Sequence, residues 1–257
     1  MQGHSHIVNK QELLTVGYST LGKRMAAIKF LESVSNLVVI QNPNSDPLPA
    51  TNSKIKRIEL QSRGVAKSRN AAIENTTTEY LLFGDDDIEF KEESINSALE
   101  YLQSNLDISI LLLQAVDETG ALRKRYPSQA HPLKLTNSAK AATYEMIIRT
   151  PDIKKASIRF DENFGAGAQN YLGDEYIFIA DALRAGLKGL FLPIVIATHP
   201  TDSSGSFHNT KQDALVRSRI FSRVFGVWAP IMRLLFILKP PSKKFGFRNS
   251  VSFLIGR

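Results

Sequence analysis

YLLFGDDDIEF, residues 80–90, decides how the chain is read. An apolar run ends on Gly84 and then on three consecutive carboxylates, Asp85, Asp86 and Asp87. A short, uninterrupted apolar run closed by turn residues suits a strand buried on both faces of a sheet. In open α/β sheets, ligands bind outside the carboxyl ends of the strands. Three like charges at such an end cost stability unless something positive sits among them. A hard divalent cation answers that need: Asp85 and Asp87 can reach one ion together, and phosphate oxygens and water fill its other positions. The plainer alternative is a solvated turn.

Working outward, LLTVGYST (13–20) reads as a strand, and Gly22 to Ser33 has helical spacing, with Met25, Ile28 and Leu31 near one face. NLVVIQNPNSDPLP (36–49) is a strand broken by a Pro/Asn loop, IKRIEL (55–60) a third strand, and GVAKSRNAAIENT (64–76) a short helix. The order β-α-β-β-α-β predicts an α/β, Rossmann-like, mainly parallel sheet flanked by helices. Further on come a helix from Ser94 to Ser104 capped by Ser94, a buried strand over 107–117 and another over 144–150. A Gly-rich loop (159–175) leads to a helix (175–186), and 187–200 is expected to hold a strand pair. Residues 118–145 are polar and contain the basic cluster RKRYP (123–127).

The 43% hydrophobic and 22% charged content permits a real core in 257 residues. With no cysteine, disulfides, thiolate zinc sites and cysteine nucleophiles are excluded. The first residues show no signal-peptide pattern, and no run reaches the roughly 18–20 apolar residues of a spanning helix. From Lys211 to Arg257 the chain carries ten Lys or Arg and one acid, Asp213, a net of +9, which leaves −2 for the rest. Two parts are therefore expected: a catalytic body over 1–210 and a basic amphipathic segment over 211–257. Trp228 and several phenylalanines among the cations suit a segment lying on an anionic membrane surface. A helical pair packed on the body, with basic outer faces, explains the same residues. No nucleic-acid partner is expected, because the body is nearly neutral and carries no recognisable binding module.

Other candidates are Lys67 and Arg69, cations placed to face phosphates, with Ser68 and Asn70 offering neutral hydrogen bonds. Asp174 and Glu175 open a helix after Gly165, Gly167 and Gly173. Helix capping accounts for that pair, and so does a general base at a pocket rim. His199 ends an apolar strand, where it serves either the core or a metal as a third ligand. His4 and His6 read as an ordinary terminus.

Taken in order, D-x-D after YLLF, GVAKSRNAA before it, then RFDENFGAGA, the acidic pair, ALRAG, and P-x-V-x-x-x-HP with SSG resemble the family 2 glycosyltransferases of the GT-A fold, particularly bacterial ones that build surface polysaccharide. The likeness runs from about residue 12 to about 205. It implies that Asp85 and Asp87, with Asp86 beside them and His199 opposite, hold Mn²⁺ or Mg²⁺ and the diphosphate of a nucleotide sugar. It implies a base at the acidic pair. The family order is Glu-Asp and here it is inverted, so position points to Glu175 and residue type to Asp174; position is preferred. Thr15, Gly17 and Tyr18 would line the nucleobase pocket. Asn42, or else Asn44 or Asp46, would replace the acid that the family often places after its second strand. The implied reaction moves a sugar, with inversion, from a nucleoside-diphosphate sugar to a saccharide or lipid-linked acceptor. The implied location is cytoplasmic, at the inner face of the plasma membrane. A nucleotidyltransferase making sugar nucleotides is the main alternative, against which TVGYSTLGKR has only two glycines and a late Lys23-Arg24. A sugar-binding descendant without turnover and a basic-tailed nucleic-acid binder complete the alternatives.

Overall fold

The computed structural model describes residues 10–50, 52, 54–200, 210–238 and 246–256. In chain order its elements are α1 (Lys10–Leu13), β1 (Leu14–Leu21), β2 (Ser35–Gln41), β3 (Lys56–Leu60), α2 (Val65–Asn75), β4 (Tyr80–Asp85), β5 (Glu89–Phe90) and α3 (Glu92–Ser104). There follow β6 (Ile108–Val116), β7 (His131–Pro132), β8 (Met146–Arg149), α4 (Thr150–Lys155), α5 (Asp174–Arg184), β9 (Lys188–Thr198), α6 (Lys211–Phe225), α7 (Ala229–Leu238) and α8 (Gly246–Ile255). The strands form one mixed sheet in the order β3-β2-β1-β4-β8-β6-β9-β5, with β7 added against β9. β3, β2, β1 and β4 are mutually parallel; β8 runs antiparallel between β4 and β6, and β9 returns parallel to β6.

The sheet is covered on both faces, as its apolar runs require. One core layer joins Val16, Tyr18, Val38, Leu82 and Leu111 to α3 through Ile95, Leu99 and Leu102. The other joins Val39, Leu81, Phe83 and Ile148 to α2 and α5 through Ala72, Phe178 and Ile179. Alternate residues of β1 and β4 thus feed opposite layers, the two-residue period of a strand. The register sets Ser19 opposite Asp85, so the carboxyl ends of β1 and β4 finish side by side.

Four local expectations change. Gly22 to Ser33 yields only a 3₁₀ turn over Gly22–Ala27, because Ile28 is already extended. α3 begins at Glu92 after Lys91, so Ser94 lies inside the helix rather than capping it. Residues 188–198 form one strand, not a pair: Pro193 is exposed and lies where the register with β6 shifts, so its missing N–H disturbs little. Thr150, expected in a strand, opens α4 with Pro151 in its first turn. His4, His6 and the SSG of 203–205 lie outside the described residues.

α6 lies against α5 through a separate apolar cluster that includes Phe164, Tyr176, Ile177, Val216 and Ile220. Gly173, at φ +96°, precedes α5, and a Cβ there would run into Ile220 of α6. α7 and α8 pack on α6 around Phe253, which is fully buried. Arg233 of α7 is buried without an acid; it donates to the carbonyls of Ser218 (2.9 Å) and Leu254 (3.2 Å) and to Ser222 Oγ. α6, a 3₁₀ turn and α7 together make a 28-residue helical stretch, Lys211–Leu238, long and apolar enough to cross a membrane by length and composition alone. Its α6 half carries the face buried on α5, and Gly226, Pro230 and Arg233 interrupt the rest.

Candidate active site

Asp85, Asp86 and Asp87 leave the end of β4 on the floor of a cleft of about 2250 Å³. Two arginines supply the positive charge that the acidic run needs. Arg24, from the 3₁₀ turn after β1, lies 2.5 Å from Asp86 Oδ1 and 3.2 Å from Asp87 Oδ2. Thr20 Oγ1 donates to Asp86 Oδ2 at 2.7 Å. Burial raises the Asp86 carboxyl above its ordinary range, against the pull of Thr20 and Arg24. Asp86 therefore fastens the loop to β1, while its neighbours on either side open toward the cleft.

Arg69 is the second arginine. It sits in α2, is 5% exposed, and faces three acids from two regions of sequence. Its Nη1 donates to Asp174 Oδ2 and, at 3.4 Å, to Glu175 Oε1; its Nη2 lies 3.8 Å from Asp85 Oδ1. Such sharing lets three acids crowd together, because a guanidinium offers donors on several sides. Asp85 is raised by burial, with Arg69 opposing. Asp174, nearly sealed beneath Gly165, is raised by burial and by Glu175 beside it, with Arg69 opposing. Burial works against the charge of Glu175 too, but Arg69 and hydrogen bonds to its carboxylate, including one from Thr143 Oγ1 at 2.9 Å, outweigh it and hold it below its ordinary value. The Glu175 side chain is 21% exposed and that of Asp174 3%. The pair thus divides into a charged member facing the cleft and a protonation-prone member beneath it.

His199 arrives from the end of β9 and stacks on Tyr144 at 4.8 Å. Its Nδ1 is 2.6 Å from the carbonyl of Pro200, which assigns the ring hydrogen to Nδ1 and turns the Nε2 lone pair toward Asp87 Oδ1, 3.8 Å away. Two facing lone pairs are what a shared cation completes, so these two residues fit a hard divalent ion. Asp85 faces Arg69 instead, and no group of three His, Cys, Asp or Glu side chains converges on one point among the described residues.

The expected nucleobase contacts are redistributed. Thr15 is buried and bonds Thr78 Oγ1 at 2.8 Å; Gly17 packs on Leu81 and Ala72; Tyr18 is fully buried against Phe30 and Phe90. All three lie inside β1, which runs on to Leu21, so Ser19, Thr20 and Leu21 occupy its cleft end instead. Asn42 is occupied with Asp46, through both backbone groups, and with Glu59 Oε1 at 2.7 Å, while Gln41 reaches the cleft. Lys67 lies off the cleft, alongside Gly64. Sequence reading passed over Thr143, Tyr144 and Glu145, which sit on one 3₁₀ turn in the cleft wall. It weighed Lys23-Arg24 only as a weak phosphate loop; the signal for Arg24 was its place just past the end of β1, where it can meet acids from the next parallel strand.

Residues 37–161, from β2 to the loop before α5, match the model of glycosyl transferase family 2. Over that segment the chain is similar to the family. It is 27% identical over 114 residues to poly(ribitol-phosphate) beta-N-acetylglucosaminyltransferase TarS of Staphylococcus aureus strains Mu50 and MW2, covering 43% of this chain and 20% of the relative. The chain therefore spans one fifth of the length of these curated relatives. The crystal structure of S. aureus TarS 1-349 in complex with UDP-GlcNAc superposes with a TM-score of 0.58 at 16% identity, over 95% of this chain and 79% of that one. The same protein in complex with UDP gives 0.55 at 16% identity, over 91% and 74%. At this identity the likeness shows the fold: a GT-A type mixed sheet flanked by helices.

Proposed function

We propose that the chain is a metal-dependent, inverting glycosyltransferase that moves a sugar from a nucleoside-diphosphate sugar to an acceptor hydroxyl in the synthesis of a surface polysaccharide. The observation that carries this reading is the placement of two acidic stations on one cleft. Asp87 with His199 stands at the end of β4 and β9, and Glu175 stands at the start of α5, with Arg69 between the stations. The family match over residues 37–161 supports glycosyl transfer, and the UDP and UDP-GlcNAc complexes of the structural relatives support a uridine nucleotide as donor.

Asp87 and His199 would hold Mn²⁺ or Mg²⁺, with Asp85 across from them. Bound there, the ion supplies Lewis-acid neutralisation of the diphosphate leaving group. Glu175, ionised at neutral pH and open to the cleft, accepts the proton of the attacking hydroxyl. Arg69 and Thr143 hold its carboxylate in place. Attack on the anomeric carbon from the face opposite the nucleotide inverts that centre in a single displacement. Asp174 stays beneath as the partner that keeps Arg69 oriented.

The outer helices support a peripheral position on an anionic membrane surface at the cytoplasmic side. Val227, Trp228, Ile231, Leu234, Leu235 and Leu238 are exposed, at 47–89% of their surface, and recur with helical spacing. Leu235 and Leu238 also line the cleft.

A thermal-shift panel of nucleotide sugars, with and without Mn²⁺, tests the reading. A metal-dependent rise with UDP-sugars, lost in Asp87→Ala, is expected. Glu175→Ala should keep that rise and lose transfer; transfer that survives would pass the base role to Asp174. Absence of any response to nucleotide sugars would overturn the proposal.

A further inference from the structure

The basic stretch Arg123-Lys124-Arg125 has no part in the reaction just described, yet all three residues line the cleft. The chain leaves β6 through a tight turn. Asp117 Oδ1 accepts from the N–H groups of Thr119 (2.9 Å) and Ala121 (3.0 Å), Val116 pairs with Leu122, and the Arg123 N–H returns to the carbonyl of Ala115. A buried carboxylate then pins the stretch. Glu145, 2% exposed, accepts from Lys124 Nζ at 2.8 Å and from the Tyr126 hydroxyl at 2.5 Å. Lys124 Nζ also donates to the carbonyl of Lys140 at 2.6 Å, which brings a fourth cation to the same wall.

The charge balance of this wall is one-sided. Glu145 offsets Lys124, but Arg123, Arg125 and Lys140 make no ion pair among the described residues. Arg123 Nε is buried without a hydrogen-bond partner. At the catalytic floor, by contrast, the acids are matched by Arg24 and Arg69. The wall and the floor meet on one short element. The 3₁₀ turn Thr143–Glu145 bonds Glu175 through Thr143, packs His199 through Tyr144 and anchors Lys124 through Glu145. A molecule whose hydroxyl reaches Glu175 therefore passes this wall.

We infer that Arg123, Arg125 and Lys140 recognise phosphate on the acceptor, close to its attacking hydroxyl. The inference rests on the glycosyl-transfer reading and narrows its acceptor class. Arg123 is partly engaged by Tyr144 and the Asp117 carboxylate, but Arg125 and Lys140 are not offset among the described residues, and two guanidinium forks with an ammonium suit a group with several charged oxygens. The acceptor phosphate has two sources, a polyol-phosphate polymer or a lipid diphosphate carrier, and both present the same chemistry to the wall.

The test uses the full chain and a labelled glycerol-phosphate oligomer, read by fluorescence anisotropy, with UDP binding measured alongside. Farnesyl diphosphate serves as the lipid-borne probe, and neutral polyglycerol and oligoglutamate as controls. The double substitution Arg125→Ser with Lys140→Ser, both on exposed side chains, should weaken phosphate-probe binding at least tenfold and leave UDP affinity unchanged. Preference for the oligomer or for farnesyl diphosphate identifies the source, and either supports the inference. Unchanged phosphate-probe affinity in the double variant, equal binding of the neutral or carboxylate control, or parallel loss of UDP binding overturns it. If the parent chain fails to bind UDP, the glycosyl-transfer reading fails instead.

Discussion

At the floor of the cleft, five carboxylates from two distant parts of the chain crowd around Arg24 and Arg69, with Asp86 and Asp174 withdrawn from water. Along α7, at the cleft's other end, large apolar side chains stand in solvent, and the one arginine in their midst, Arg233, is turned inward onto carbonyls. Each region violates ordinary burial, in opposite senses. Buried charge is retained when every charge has a partner, at a cost that well-packed apolar residues would avoid. Exposed apolar surface is retained when something outside the chain covers it. The floor's acids thus find most of their counter-charge within the chain, whereas the exposed apolar side chains of the α7 ridge have no such cover among the described residues.

Mutations can sharpen or break that contrast. The largest effect is expected at Glu175: Glu175→Gln should lower kcat about 10²–10⁴-fold, the usual loss for a positioned base, with UDP binding intact. Single-turnover transfer with a UDP-sugar would measure it. Arg69→Met comes next. It strands Asp85, Asp174 and Glu175 without their shared counter-charge and should cost about 3–5 kcal/mol in urea unfolding. A neutral result there would mean that the floor is less tightly paired than the α7 ridge is apolar.

Acid–base behaviour offers a smaller, directional test. Asp174 is pushed from 3.8 up to about 7, chiefly by burial. A carboxyl that holds its proton more tightly when folded stabilises the fold at acid pH, and that contribution is lost as pH rises through this window. Asp174→Asn has no proton to lose, so its Tm should gain on the parent between pH 5 and 7.5. Glu175 is shifted downward, so its own contribution is present above its ordinary pKa and lost only under more acidic conditions. The mildest effect on folding belongs to α7. Trp228→Ser with Leu234→Ser should leave unfolding within about 0.5 kcal/mol while weakening attachment to anionic vesicles about tenfold. Trp228 is the sole tryptophan and is 65% exposed, so a blue shift of its emission on adding vesicles reports contact in the parent chain. No shift would detach the ridge from any membrane role.

The fold was legible wherever a strand is a continuous apolar run: β1, β2, β4 and β6 are all read from residues that end up inside two-sided layers. β9 was misread because proline usually ends a strand, and only the register shift beside Pro193 shows why it does not. The two acidic stations were legible because they end a strand and begin a helix. Their partners were not. Arg24 lies 63 residues from Asp87, and Arg69 lies 105 from Asp174, so no local pattern links them. The nucleobase residues were misplaced for a geometric reason. Thr15, Gly17 and Tyr18 lie inside β1 and face the core, and Ser19 to Leu21 stand at its open end.

The contact of Ile220 with Gly173 has a practical bearing on how this chain can be cut down. A polypeptide stopped at residue 210 would shed α6 and leave Phe164, Tyr176 and Ile177 wet, with Tyr176 two residues from Asp174, the acid that steadies Arg69. The basic C-terminal segment is not a detachable appendage, since its first helix packs on α5. Solubility would have to be sought by blunting α7, with α6 kept whole.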